Sequence, residues 1–99
     1  MAVLTATKTS YGYRCTGGTT ETSISTNSMY VYKFEYIAAT NNNAVTIKDK
    51  DGNSITKIIG ATASTSNERT YGDKENAARF NGLLVTLTQA TDELHIYIA

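Results

Sequence analysis

Asp49, Asp51 and Asn53 place oxygen-bearing side chains at alternate positions around Gly52, the arrangement with which a calcium loop begins. The rest of such a loop is missing. Counted from Asp49, glycine stands fourth rather than sixth, and the twelfth position, where a bidentate glutamate belongs, is Gly60. A tight hairpin needs Asp-Gly for its backbone, so the segment reads as a turn and no metal is expected. His95 is the single histidine, and alternation through Leu94, Ile96 and Ile98 sends it to the opposite face together with Glu93 and Tyr97. General acid/base work needs a partner and a pocket around the imidazole, and the sequence offers only scattered carboxylates, so His95 is expected at a surface or interface. Cys15 lies beside Arg14, whose charge favours a thiolate, yet no nucleophile motif surrounds it and a buried small hydrophobe is expected. No glycine belongs to a phosphate-cradling or dinucleotide motif. No catalytic, cofactor-binding or metal-ligating residue is therefore assigned, and the chain is not expected to be an enzyme. Tyr11, Tyr13, Tyr71 and Tyr97 leave one alternative open, a carbohydrate-binding module, because exposed rings stack on sugars.

The elements that must position these residues are strands. Ala2 to Thr9 alternates with Ala2, Leu4 and Ala6 on one side, and Tyr11 to Thr16 extends it after a bend at Gly12. Gly17-Gly18 marks a turn before a strand from Thr20 to Thr26. From Met29 to Ile37 the period of two is clearest. It sends Tyr30, Tyr32, Phe34 and Tyr36 to the core and Met29, Val31, Lys33, Glu35 and Ile37 to the other face of a central strand. Val45 and Ile47 point inward on the next strand, and Asp51-Gly52 followed by Ser54 to Ile59 makes a hairpin. Between Gly60 and Gly82 the pattern lapses; a structureless loop of about 20 residues is improbable in a compact domain, so a short strand or a long crossover is expected there. Asn76 to Arg79 has the composition of one helical turn. The closing stretch, Arg79 to Ala99, reads as a hairpin whose Leu83, Val85, Leu87, Leu94, Ile96 and Ile98 face the core.

Composition agrees with that outline. The chain carries 17 Thr, 7 Ser, 8 Asn and 7 Tyr with no Pro or Trp, a mixture that suits pleated half-buried strands and polar corners. Turn signals roughly every 8 to 12 residues predict a single all-β domain over residues 1–99, an antiparallel β-sandwich of Greek-key or jelly-roll type, with a small β-barrel as the alternative. Nine basic and nine acidic side chains cancel, which removes any general attraction to phosphate backbones or anionic lipid, so neither nucleic acid nor membrane is expected as a partner. One cysteine cannot close an intrachain disulfide, and the first residues lack the charged and apolar regions of a leader, which points to synthesis in a reducing cytoplasm. Only 18% of the residues are charged, and a neutral exterior rich in Thr and Asn packs against neighbours at low desolvation cost.

The string from Arg79 to Thr88, followed by Leu94-His95-Ile96-Tyr97-Ile98, resembles the C-terminal end of small β-sandwich structural proteins of tailed bacteriophage virions. The hairpin from Val45 to Ile55 is similar to strands in the same group. No site residue is carried over from the resemblance. It implies a capsid decoration (cement) protein, or a neck or tail component, found in the virion and synthesised in the host cytoplasm. Its partners would be the major capsid protein or other virion proteins and further copies of itself in a homo-oligomer, engaged by contact and without a cofactor.

Overall fold

The structure is a computed structural model that describes residues 3 to 99. The described chain is all strand and loop: β1 (Thr5–Lys8), β2 (Gly12–Thr16), β3 (Thr22–Ile37), β4 (Asn43–Lys48), β5 (Ser54–Gly60), β6 (Ser66–Thr70), β7 (Ala78–Leu87) and β8 (Glu93–Ile98). They form one eight-stranded antiparallel sheet in the order β1-β2-β8-β3-β7-β4-β5, with β6 added against β3. The all-β antiparallel class expected from the turn spacing is what forms, in a sandwich-like arrangement.

A single long strand makes the sandwich from one sheet. β3 pairs with β8 from Val31 to Ile37 and with β6 from Lys33 to Ile37, while its N-terminal half pairs with β7 from Thr22 to Val31. Its two halves thus belong to two layers. One layer is β1-β2-β8-β3-β6 and the other is β3-β7-β4-β5. The segments Thr20–Thr26 and Met29–Ile37, expected as two strands, are one strand interrupted by register shifts between Ser23 and Ser28. Opposite that irregularity stands Gly82, at a φ of 84°, where a Cβ would lie 2.7 Å from the Ser25 carbonyl oxygen. Any side chain there would push β7 away from β3.

A second irregularity corrects the expected core. Val31 pairs with Ile98 and Lys33 with Tyr97, so β3 spends two residues where β8 spends one. Such a bulge reverses the inward face. Phe34 and Tyr36 are fully buried beyond it, as expected, but Val31 is buried before it and Tyr30 is 54% exposed, the reverse of the simple alternation. Tyr32 is left half-buried.

The core between the layers takes Leu4, Cys15, Phe34, Tyr36, Leu94 and Ile96 from one side and Val45, Ile47, Ile58, Leu83, Val85 and Leu87 from the other. Each such side chain contributes about 1.5 to 3 kcal/mol on burial. Tyr71 closes one end of it, edge-on to Phe34 and Phe80 at centroid distances of 5.8 and 5.3 Å. Ala2, expected beside Leu4, lies outside the described residues.

Three local expectations change. Gly12–Thr16 does not extend β1 but returns antiparallel to it, with Thr5 opposite Thr16 and Lys8 opposite Tyr13. The segment from Gly60 to Gly82 does hold a short strand, β6, but Asn76–Arg79 forms no helical turn. Asp73 instead accepts the backbone N–H groups of Glu75 and Asn76, and Arg79 already belongs to β7. Finally, β7 and β8 are not a hairpin. Val31 has Ala78 on one side and Ile98 on the other, so β7 and β8 occupy opposite edges of β3 and cannot pair with each other. The loop between them crosses from one layer to the other.

Candidate functional site

Cross-strand register assembles a polar face on the outside of the first layer. Arg14 stands opposite His95, His95 opposite Glu35, and Glu35 opposite Glu68, a row running across β2, β8, β3 and β6. In the neighbouring row Gly12, Tyr97, Lys33 and Thr70 align. Alternation delivers all of these outward while Leu94 and Ile96 go inward. Gly12 is needed where β2 meets β8, because a Cβ there would lie 1.9 Å from the Ile96 carbonyl oxygen.

The side chains on this face engage one another. Arg14 donates Nε to Glu93 Oε1 at 3.1 Å, and the His95 Nε2 lies 3.3 Å from the same oxygen. The other ring nitrogen of His95, Nδ1, is hydrogen-bonded to the Tyr11 hydroxyl. Tyr11 stacks on Tyr97 at 4.4 Å, and Tyr97 donates to Glu35 Oε1 at 3.1 Å. Ser66 donates to the other Glu35 oxygen at 2.6 Å, while the Lys33 ammonium lies 4.2 Å from the centre of the Tyr97 ring and 3.4 Å from Glu68. The sequence places His95 and Tyr97 on the face away from the core, and there they are. They are not freely exposed, however: the His95 side chain keeps only 14% of its accessible surface, and Tyr97 is half-buried.

The electrostatics follow from these contacts. The hydroxyl of Ser66 holds Glu35 below the usual glutamate range, and the Arg14 guanidinium does the same for Glu93. Desolvation, with the Glu35 carboxylate as acceptor, pushes the Tyr97 phenol up to about 12. The carboxylates are thus held ionised and the phenol protonated. Both nitrogens of His95 already have partners. The arrangement fastens four strands together through the Arg14–Glu93 and Lys33–Glu68 ion pairs and the hydroxyls bonded to Glu35.

A second polar cluster was not anticipated. Asp92 is fully buried, and its carboxylate accepts from the Tyr36 hydroxyl (2.7 Å), the Ala39 N–H (2.8 Å), Asn43 Nδ2 (3.0 Å) and the Gln89 N–H (3.1 Å). Burial, reinforced by the bond to Asp92, pushes the Tyr36 phenol up. Asp92 ties the β3–β4 loop to the β7–β8 loop over the edge of the core. Its only signal in the sequence is the short polar turn Gln89-Ala90-Thr91-Asp92, where a terminal aspartate commonly bonds backbone nearby.

Compared with family models, curated proteins and solved structures, the chain matches none.

The remaining candidates resolve individually. Cys15 is buried, and desolvation pushes its thiol up to about 12, which makes it a core residue. Asp49 accepts the N–H groups of Asp51 and Asn53 through one carboxylate oxygen, the contacts of a self-capped turn. Among the described residues no group of three or more His, Cys, Asp or Glu side chains is placed to hold a metal ion. Among the Tyr candidates, Tyr71 and Tyr13 pack against the core. Tyr11 and Tyr97 cover each other, and Lys33 sits over the Tyr97 ring as well.

Proposed function

We propose that this chain is a non-enzymatic structural protein of a virion, a decoration or cement protein that binds the outside of a capsid and reinforces contacts between shell subunits. The observation that carries this reading is the way charge is spent on the surface. Arg14, Lys33, Glu35, Glu68 and Glu93 engage partners within their own face. The outer face of the second layer presents Thr46 and Thr86 in register with Lys57, bordered by Ala44 opposite Ile59. Paired charges and neutral hydroxyls dock against neighbours at a lower cost than unpaired charges, of which this layer presents the exposed Lys57. A shell protein repeated by symmetry needs only weak contacts of this kind, because each is multiplied by the number of copies. The major capsid protein is the partner this reading names, with homo-oligomeric association among decoration copies.

The carbohydrate-binding alternative gains no support from the outer face. Stacking on sugar needs free ring faces. Tyr97 has Tyr11 stacked at 4.4 Å and a lysine ammonium over its ring at 4.2 Å, so both of its faces are taken. The cement reading is tested by comparing the thermal and osmotic stability of particles with and without the protein. A clear loss of stability in its absence is expected. Equal stability, or purified particles that do not contain the chain, would sink the reading.

A further inference from the structure

We propose that one end of the sandwich, built from residues 17–20, 38–42, 61–65 and 88–91, is the docking face of this protein, and that it receives an uncharged, hydrogen-bonding protein surface. This assignment rests on the virion reading for the identity of the partner, the capsid shell.

The first support is the distribution of charge. None of the residues in these four segments is charged, and none is aromatic; they are Gly, Ala, Thr, Ser, Asn and Gln throughout. The opposite end is the reverse. The β4–β5 loop there carries Asp49, Lys50 and Asp51, and the segment after β6 carries Asp73, Lys74 and Glu75. Three acidic groups border the neutral end: Glu21 is exposed and lies 3.7 Å from Lys48, Glu93 is paired with Arg14, and Asp92 is buried beneath the loops with its four donors. Apart from Glu21, which closes the β2–β3 connection, the exposed loop charges of the chain thus lie at the opposite end.

The second support is rigidity. Loops with such composition are ordinarily mobile, but these are clasped to each other. Gly17 N–H donates to the Ala90 carbonyl at 2.8 Å, Ser64 N–H to the Ala38 carbonyl at 2.9 Å, and Ala63 N–H to Asn41 Oδ1 at 2.7 Å. Thr40 donates its hydroxyl to Gln89 Oε1 at 2.8 Å. Asn42 and Ser64, the two non-glycine residues with positive φ among the described residues (68° and 62°), both lie here. A side chain in that region costs free energy that the surrounding bonds must offset. A face already ordered loses little further entropy when it binds.

The chemistry of the face selects its occupant. Among the described residues, these four segments offer no cation to a phosphate and no ring to a sugar. Hydroxyls, amides and small apolar groups such as Ala61 and Ala90 remain, with Ile59, 56% exposed, at the margin. These match the neutral surface of another protein.

The test adds purified protein back to particles that lack it and measures the fraction that sediments with them. Four proteins are compared: wild type, Thr62→Glu/Thr91→Glu, Thr62→Gln/Thr91→Gln, and Lys50→Glu/Lys74→Glu at the opposite end. Thr62, Thr91, Lys50 and Lys74 are all exposed. The glutamate pair at the neutral end is expected to weaken binding about tenfold or more, because it buries unpaired charge. The glutamine pair and the opposite-end pair should stay within about twofold of wild type. Wild-type binding should change less than about threefold between about 50 and about 500 mM NaCl, a measurement independent of any variant. Undiminished binding of the glutamate pair, loss of binding in the opposite-end pair alone, or steep salt dependence overturns the docking face and leaves the virion reading standing. Wild-type protein that binds no particle overturns that reading and this one with it. Glycan-array binding that disappears in the glutamate pair assigns the face to a sugar and overturns the protein partner.

Discussion

Asp92 and Glu93 are neighbours in sequence and carry the same functional group, one closing the β7–β8 loop and the other opening β8, yet they live in different media. Asp92 is fully buried and meets four neutral donors from the protein, while Glu93 points outward to Arg14 and His95 with about a third of its side chain exposed. The difference shows where polar interactions carry stability in this fold. Water would solvate Glu93 nearly as well as Arg14 does, so the surface pair gains little net free energy. No water replaces the donors around Asp92. Removing that carboxylate leaves the buried Tyr36 hydroxyl and the half-buried N–H groups of Ala39 and Gln89 without an acceptor, while Asn43 Nδ2 keeps its bond to Gln89 Oε1.

The largest effect is therefore expected from Asp92→Ala, which should destabilise the protein by about 3 to 5 kcal/mol in urea unfolding. Tyr36→Phe removes one donor and leaves the other three, for an expected loss of about 1.5 to 3 kcal/mol. Glu93→Gln should cost under about 1 kcal/mol. Equal losses for Asp92→Ala and Glu93→Gln would erase the contrast between the two carboxylates.

The same contrast marks what the sequence makes legible. Strand positions, the all-β class, the inward Val45, Ile47, Leu94 and Ile96, and the outward His95 and Tyr97 all follow from a period of two, a property of each strand alone. What does not follow is set between strands. The bulge that buries Val31 and exposes Tyr30 depends on how β3 registers against β8, and the separation of β7 from β8 depends on β3 lying between them. The Asp92 cluster draws its donors from the β3–β4 and β7–β8 connections, far apart in the chain. No local pattern announces such convergence. The bulge makes a prediction smaller than that for Asp92→Ala: Val31→Ala should cost about 2 kcal/mol, whereas Tyr30→Ala should change stability by no more than about 0.5 kcal/mol. The reverse order would restore the simple alternation and remove the bulge.

The smallest expected effect concerns pH, and it separates the outer face from the inner cluster by a different route. Glu93 is lowered chiefly by its bond from Arg14, and Glu35 chiefly by its bond from Ser66. A carboxylate whose value is lower in the folded state stabilises the protein fully above its unfolded value and loses that contribution as the pH falls through the folded value. Wild-type stability should thus decline as the pH drops below the ordinary glutamate value of 4.5. Replacing Arg14 by alanine lets Glu93 titrate closer to that ordinary value, and Ser66→Ala does the same for Glu35. Both substitutions should flatten the acid limb of the stability curve while changing stability at neutral pH by less than about 1 kcal/mol. Urea midpoints measured from pH 7 down to about pH 3 would show it, since the slope with pH reports protons taken up on unfolding. An acid limb unchanged in the Arg14→Ala/Ser66→Ala double variant would mean that the outer carboxylates are not the groups whose protonation weakens the fold.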